Sequence, residues 1–128
     1  YQQSIAICPT AEAYTFLGWA MSWQGDVLGA IEQCRRAIEV DPSFGNPYND
    51  IGAYLIELGR LSKAVEWLER AKHAARYEPR HFPYLNLARV YTAQGKTTLA
   101  IAELERALEI APGDGVALPM LAKLRSLN

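Results

Sequence analysis

Gly18 and Gly52 stand 34 residues apart, as do Gly25 and Gly59, and Gly95 follows 36 later. Tyr14, Tyr48 and Tyr84 keep the same step, as do Ala30, Ala64 and Ala100, and again Ala37, Ala71 and Ala107. A period of this length constrains the chain more than any other feature. Each unit is one supersecondary element that cannot bury its apolar face alone, so successive units must stack in a line. The marks define units over 11–44, 45–80 and 81–114. Residues 1–10 read as the end of a preceding repeat, and 115–128 as the terminal helix that opens a fourth.

Each unit reads as two helices. The first carries an i, i+3, i+4, i+7 stripe: Tyr14, Leu17, Gly18, Met21; then Tyr48, Ile51, Gly52, Leu55; then Tyr84, Leu87, Ala88, Tyr91. Gly25, Gly59 and Gly95 close it, because glycine takes a left-handed conformation cheaply. The second helix carries Ala30, Cys34, Ala37; Ala64, Leu68, Ala71; and Ala100, Leu104, Ala107. Small residues such as Gly52 and Ala64 are expected to let the two helices approach closely. The middle unit has two extra residues after Ala71, and Arg76 stands where Pro42 and Pro112 close the others. Its second helix is expected to be about half a turn longer. Strand signals are absent, since two-residue alternation never persists.

These residues resemble the tetratricopeptide repeat family, whose units carry an aromatic residue, then Leu-Gly, then Tyr, with Ala-x3-Phe and a closing Pro. The matching stretches are Tyr14-x2-Leu17-Gly18-x2-Met21 with Ala30-x3-Cys34 and Pro42; Tyr48-x2-Ile51-Gly52-x2-Leu55 with Ala64-x3-Leu68; and Tyr84-x2-Leu87-Ala88-x2-Tyr91 with Ala100-x3-Leu104 and Pro112. Cys34 and Arg76 depart from the pattern. The resemblance implies an all-α, right-handed superhelix of helix-turn-helix repeats. In the terminal segment, Leu118, Leu121 and Ala122 fall at the expected places and Asp114 serves as N-cap. Val116, Met120 and Leu127 lie beside that face, so the last helix is a poor polar cap.

Composition narrows the function classes. Half of the 128 residues are apolar and 21% are charged, as in a globular chain. No apolar run approaches the roughly 18 residues of a membrane span. The opening Tyr1-Gln2-Gln3-Ser4 is neither a signal sequence nor an initiator Met, so a processed protein or a piece of a longer one is expected. The net charge of −1 divides unevenly: residues 1–59 carry −5, with Arg35 and Arg36 as the basic residues, and residues 60–128 carry +4. Cys8 and Cys34 are too few for a disulfide framework and read as ordinary thiols, with the cytoplasm as default compartment.

No catalytic constellation is evident. His73 and His81 are eight residues apart and form no ligand set with Glu69 and Glu78. No serine has a GxSxG context, and Gly113-Asp114-Gly115 reads as a turn with a helix cap. The chain is therefore expected not to be an enzyme and to need no metal or cofactor.

By the family resemblance, the first helices line a concave groove that binds a peptide or partner helix. The groove positions are Glu12, Thr15, Trp19, Ser22 and Trp23; Asn46, Asn49, Ala53, Ile56 and Glu57; and Phe82, Leu85, Arg89, Thr92 and Ala93. Trp19 and Trp23 are one turn apart and share a face, either as exposed anchors or packed beneath a helix over Tyr1–Pro9. Some family members clamp a chaperone tail's carboxylate at places that here hold Thr15, Trp19, Asp50, Phe82 and Asn86. An Asp there repels a carboxylate, which argues against that ligand. One basic groove residue, Arg89, against two acidic ones argues against nucleic acid. The expected function is a protein-interaction scaffold. The alternatives are a docking arm of a larger multidomain protein or enzyme, and a scaffold that assembles with itself through its open ends.

Overall fold

The computed structural model describes residues 9–127. Among the described residues seven helices follow one another: α1 (Ala11–Trp23), α2 (Val27–Val40), α3 (Asn46–Glu57), α4 (Leu61–Lys72), α5 (Phe82–Ala93), α6 (Thr97–Ile110) and α7 (Ala117–Ser126). Among the described residues there is no strand, and an isolated parallel bridge joins Phe44 to Arg76. The chain is an all-α helical-repeat solenoid. The expectation of a preceding repeat over residues 1–10 falls almost wholly outside the described residues.

The helix ends have local causes. Thr10 caps α1 by accepting the Ala13 N–H at 3.0 Å, and Asp26 caps α2 by accepting that of Gly29 at 2.9 Å. α3 and α5 instead begin with Pro47 and Pro83, whose missing N–H costs nothing in a first turn. Gly25, Gly59 and Gly95 have φ of +86°, +75° and +74°. The residue after each reaches back to the helix, as when the Lys96 N–H donates to the Tyr91 carbonyl at 2.8 Å. This closure turns the chain by a full hairpin in three residues.

The hairpins α1–α2, α3–α4 and α5–α6 are the closest helix pairs, and each second helix then packs on the next first helix. α1 also touches α3, and α3 touches α5, whereas consecutive second helices make no comparable contact. The first helices therefore line the inner side of the curve. One core joins Ala30, Cys34, Ile51, Leu55, Ala64, Leu68, Leu87 and Val90 across three hairpins. A second joins Leu85, Ala88, Leu104 and Ala107 to Ala117, Leu121 and Leu124 of α7. Full burial of a Leu or Ile side chain contributes about 1.5–3 kcal/mol, and Ile51, Leu68, Leu87 and Leu104 are all completely buried.

Three sequence expectations need correction. α4 is not lengthened by the extra residues: it has 12, against 14 in α2 and in α6. The chain leaves the helix after Lys72 so that Ala74 and Tyr77 fold back beside Tyr48 and Ala71. Arg80 donates to the freed carbonyls of Lys72 and Ala74 at 3.2 and 3.1 Å, and Pro79 disfavours helix at the residue before it. In α7 the buried positions are Ala117, Leu121 and Leu124, while Leu118 and Ala122 are exposed. Asp114 accepts the N–H groups of Val116 and Ala117 at 3.0 and 2.9 Å, but the helix itself begins only at Ala117, which faces the core with Leu121 and Leu124. In α1, Leu17 is exposed together with Phe16, because no described helix packs on that side.

Candidate functional site

The inner face is built from side chains at roughly one-turn intervals on α1, α3 and α5. Between α1 and α3 lies a concavity of about 450 Å³ lined by Trp19, Ser22, Trp23, Asp50, Ala53, Tyr54 and Glu57. Trp19 is 50% exposed and Trp23 74%. Their rings meet edge to face with centroids 5.8 Å apart, and Phe16 lies 5.7 Å from Trp19 on the other side. The packing of both tryptophans beneath a helix over Tyr1–Pro9 lies outside the described residues. Tyr54 forms a buried wall. Asp50 is half-buried in the lining of the same concavity, and among the described residues it has no hydrogen-bond partner. Removal from water raises its carboxyl to about 7. Its charge in turn adds to burial in pushing up the Cys34 thiol and the Tyr54 and Tyr77 phenols.

The other expected groove residues are placed differently. Glu12 is engaged by Arg76, whose guanidinium reaches it at 3.0 Å and Asp41 at 2.7 Å while stacking over Phe44 at 4.3 Å. The Thr15 hydroxyl donates to the Ala11 carbonyl at 2.7 Å, within its own helix. The Asn46 amide points toward the Glu78 carbonyl at 3.5 Å. Asn49 is buried, and its oxygen accepts the Asn86 amide at 3.0 Å. Asn86 in turn accepts from Arg89 at 2.9 Å. An open Asn49 amide, as a groove position would require, is therefore not what the structure has. Leu85 is buried in the core shared with α7 rather than exposed in the groove. Phe82 is 43% exposed, with His81 edge-on at 4.9 Å. His81 also meets Asp114 at 3.1 Å.

The structure thus brings Trp19 and Trp23 together with Ser22, Ala53 and Glu57, and leaves Phe82 and Arg89 further along on α5. Sequence reasoning named Asp50 only as a clamp position that would repel a carboxylate, and left Tyr54 out of the groove. The signal for Asp50 was available: Asn46, Asp50, Ala53 and Glu57 repeat at i, i+4, i+7 and i+11, one continuous helical face. Among the described residues, no three metal-ligating side chains come together, and no helix is long and apolar enough to cross a membrane.

Solved structures similar in shape share this architecture. The first repeat domain of Spaghetti (RPAP3), bound to an HSP90 peptide, SRMEEVD, superposes with a TM-score of 0.82 at 20% identity, covering 91% of either chain. The N-terminal domain of stress-induced protein-1 (STI-1) from C. elegans gives 0.77 at 25% identity, covering 90% of this chain and 94% of that one. PilF of Pseudomonas aeruginosa gives 0.82 at 23% identity, over 90% of this chain and 52% of that one. No curated protein sequence matches. A family model described as Tetratricopeptide repeat matches residues 44–113. That stretch is more than half of the chain and carries two complete hairpins, and with it the chain belongs to the tetratricopeptide repeat family.

Proposed function

We propose that this chain is a protein-interaction module that receives a segment of a partner protein along the inner face of α1, α3 and α5. The observation that carries the reading is the concavity between α1 and α3, where two tryptophans stay exposed beside a half-buried carboxylate. Exposed aromatic side chains around a concave surface are the usual anchors of interfaces. Phe82 and Arg89 on α5 extend the same face. One extended segment could run from Trp23 to Phe82, with Glu57 and Arg89 favouring opposite charges along it. The peptide held by the Spaghetti (RPAP3) domain supports segment binding in this fold. Its acidic character does not suit the α1–α3 end here, where Asp50 and Glu57 would repel it.

The test is a random peptide library selected on the protein, followed by titration of a synthetic binder. Trp19→Ala, Phe82→Ala or Arg89→Ala, at a true anchor, costs about 2 kcal/mol, roughly thirtyfold in affinity. Lys63→Ala, exposed on α4, leaves affinity unchanged. The opposite pattern would place the ligand on the outer side.

A second reading, self-association, rests on α7. Val116, Leu118 and Leu127 are exposed on the last described helix, an apolar surface of the kind a further repeat or a second copy would cover.

A further inference from the structure

The concavity between α1 and α3 has a chemistry more specific than an apolar anchor site. Its walls are the indoles of Trp19 and Trp23 and the ring of Tyr54, and its charged lining is Asp50 and Glu57. No basic side chain lines it. Residues 1–59 hold two basic residues, Arg35 and Arg36, and both are on α2 and turned to other partners. Arg35 lies over the Trp67 ring at 5.1 Å and Arg36 pairs with Glu32 at 3.6 Å. Arg76, which reaches the groove's first helix through Glu12, is engaged by Glu12 and Asp41.

A half-buried carboxylate without a partner among the described residues, as Asp50 is, costs free energy that a folded protein normally recovers through a hydrogen bond or a counter-ion. Electron-rich aromatic faces attract cations, and more strongly when the cation leaves water. The two features act on the same ligand type. An ammonium or guanidinium group entering the concavity would meet the aromatic faces that line it and place its N–H donors toward Asp50, with Glu57 in the same lining.

We propose that this concavity is a receptor for a cationic side chain, the lysine or arginine of the bound partner segment. This rests on the reading of the inner face as a segment-binding groove and adds which residue the segment presents to it. Specificity follows from charge: an acidic side chain meets Asp50 and Glu57, and a neutral one leaves Asp50 unpaired.

The probes are hexalysine, hexaarginine, hexaglutamate and a neutral Gly-Ser hexapeptide, titrated into the isotopically labelled full chain. The readouts are the indole N–H resonances of Trp19, Trp23 and Trp67 and the dissociation constants from them. Hexalysine or hexaarginine is expected to shift Trp19 and Trp23, saturably, and the stronger of the two identifies the preferred cation. Asp50→Asn, which keeps side-chain shape, is expected to weaken that binding by about tenfold or more. Glu39→Gln, the same change of net charge on the exposed side of α2, is expected to change it less than twofold. Equal weakening by both variants, or none by Asp50→Asn, overturns the cation receptor. Shifts of Trp19 and Trp23 by the neutral or acidic peptide but not by the basic ones overturn it too, while leaving the segment-binding groove intact. Shifts confined to Trp67 overturn both readings.

Discussion

Gly52 and Leu68 meet at the tightest point of the middle hairpin. A Cβ on Gly52 would run into the Leu68 side chain, and Leu68 is completely buried. Gly52→Ala gains about 1 kcal/mol of helix propensity and loses about 1–3 kcal/mol to overpacking, so the single variant is neutral or destabilised. Leu68→Ala removes a fully buried isobutyl group and costs about 2–5 kcal/mol, depending on how far the cavity relaxes. In that background the space beside Gly52 is empty. Gly52→Ala then keeps its propensity gain without the clash and stabilises the protein by about 1 kcal/mol. The two sites are thus coupled by about 1–3 kcal/mol, with a change of sign. Urea denaturation of the four proteins, followed by circular dichroism, measures this. Additive effects would refute the contact and with it the register of α3 on α4.

Ala64→Leu, at a completely buried site in the same hairpin, is expected to cost about 1–3 kcal/mol. Lys63→Ala next door loses an exposed pair to Glu66 at 4.0 Å and is expected to move the urea midpoint little. Asp50 has a folded-state value raised to about 7 by burial, above roughly 3.9 when unfolded. The folded state therefore binds the extra proton between those values, and stability falls as pH rises from about 4 to about 7, then levels off. Tyr54, Tyr77 and Cys34 are coupled to it and are all pushed up, away from that window, so a urea midpoint series in Asp50→Asn should lose the part of this fall that Asp50 causes. Cys34 is completely buried and its thiol is pushed up by burial and by Asp50, so in a Cys8→Ser background a thiol reagent should react only as fast as the core opens. Light scattering at rising concentration should show association that Leu118→Glu suppresses; a strict monomer at all concentrations would remove the self-association reading.

The repeat was legible because its marks are forced by local physics. A hairpin turn that needs positive φ must draw on glycine, and Gly25, Gly59 and Gly95 all take it. A helix pair at close approach must draw on small residues, and Ala30, Ala64 and Ala100 are all completely buried. What the period could not reveal is where one unit departs from the others. The residues after Ala71 look like more helix by composition, yet burying Tyr77 and capping through Arg80 outweighs another half turn. Arg76 replaces a proline, and its pairing with Glu12 and Asp41 spans 64 and 35 residues of sequence, beyond any local pattern. The inner face was legible as a set of positions but not as a surface. Thr15 turned to its own helix, Asn49 to Asn86, and Leu85 to the core shared with α7. Asp50 was judged only as an obstacle to a carboxylate ligand, although its helical phase put it between Trp19 and Glu57. Arg70, on the outer side, stacks 4.4 Å from Trp67 on its own helix and 5.0 Å from Tyr48 on α3.

The central claim is that a partner segment lies on the inner face, and the three tryptophans report on it directly. Trp19 and Trp23 stand on α1, and Trp67 stands on α4 between the Arg35 and Arg70 guanidinium groups. A library-selected peptide carrying a nitroxide label broadens resonances near it. Binding on the inner face broadens the Trp19 and Trp23 indole N–H signals and spares Trp67; broadening of Trp67 with Trp19 and Trp23 unaffected would put the segment on the outer side.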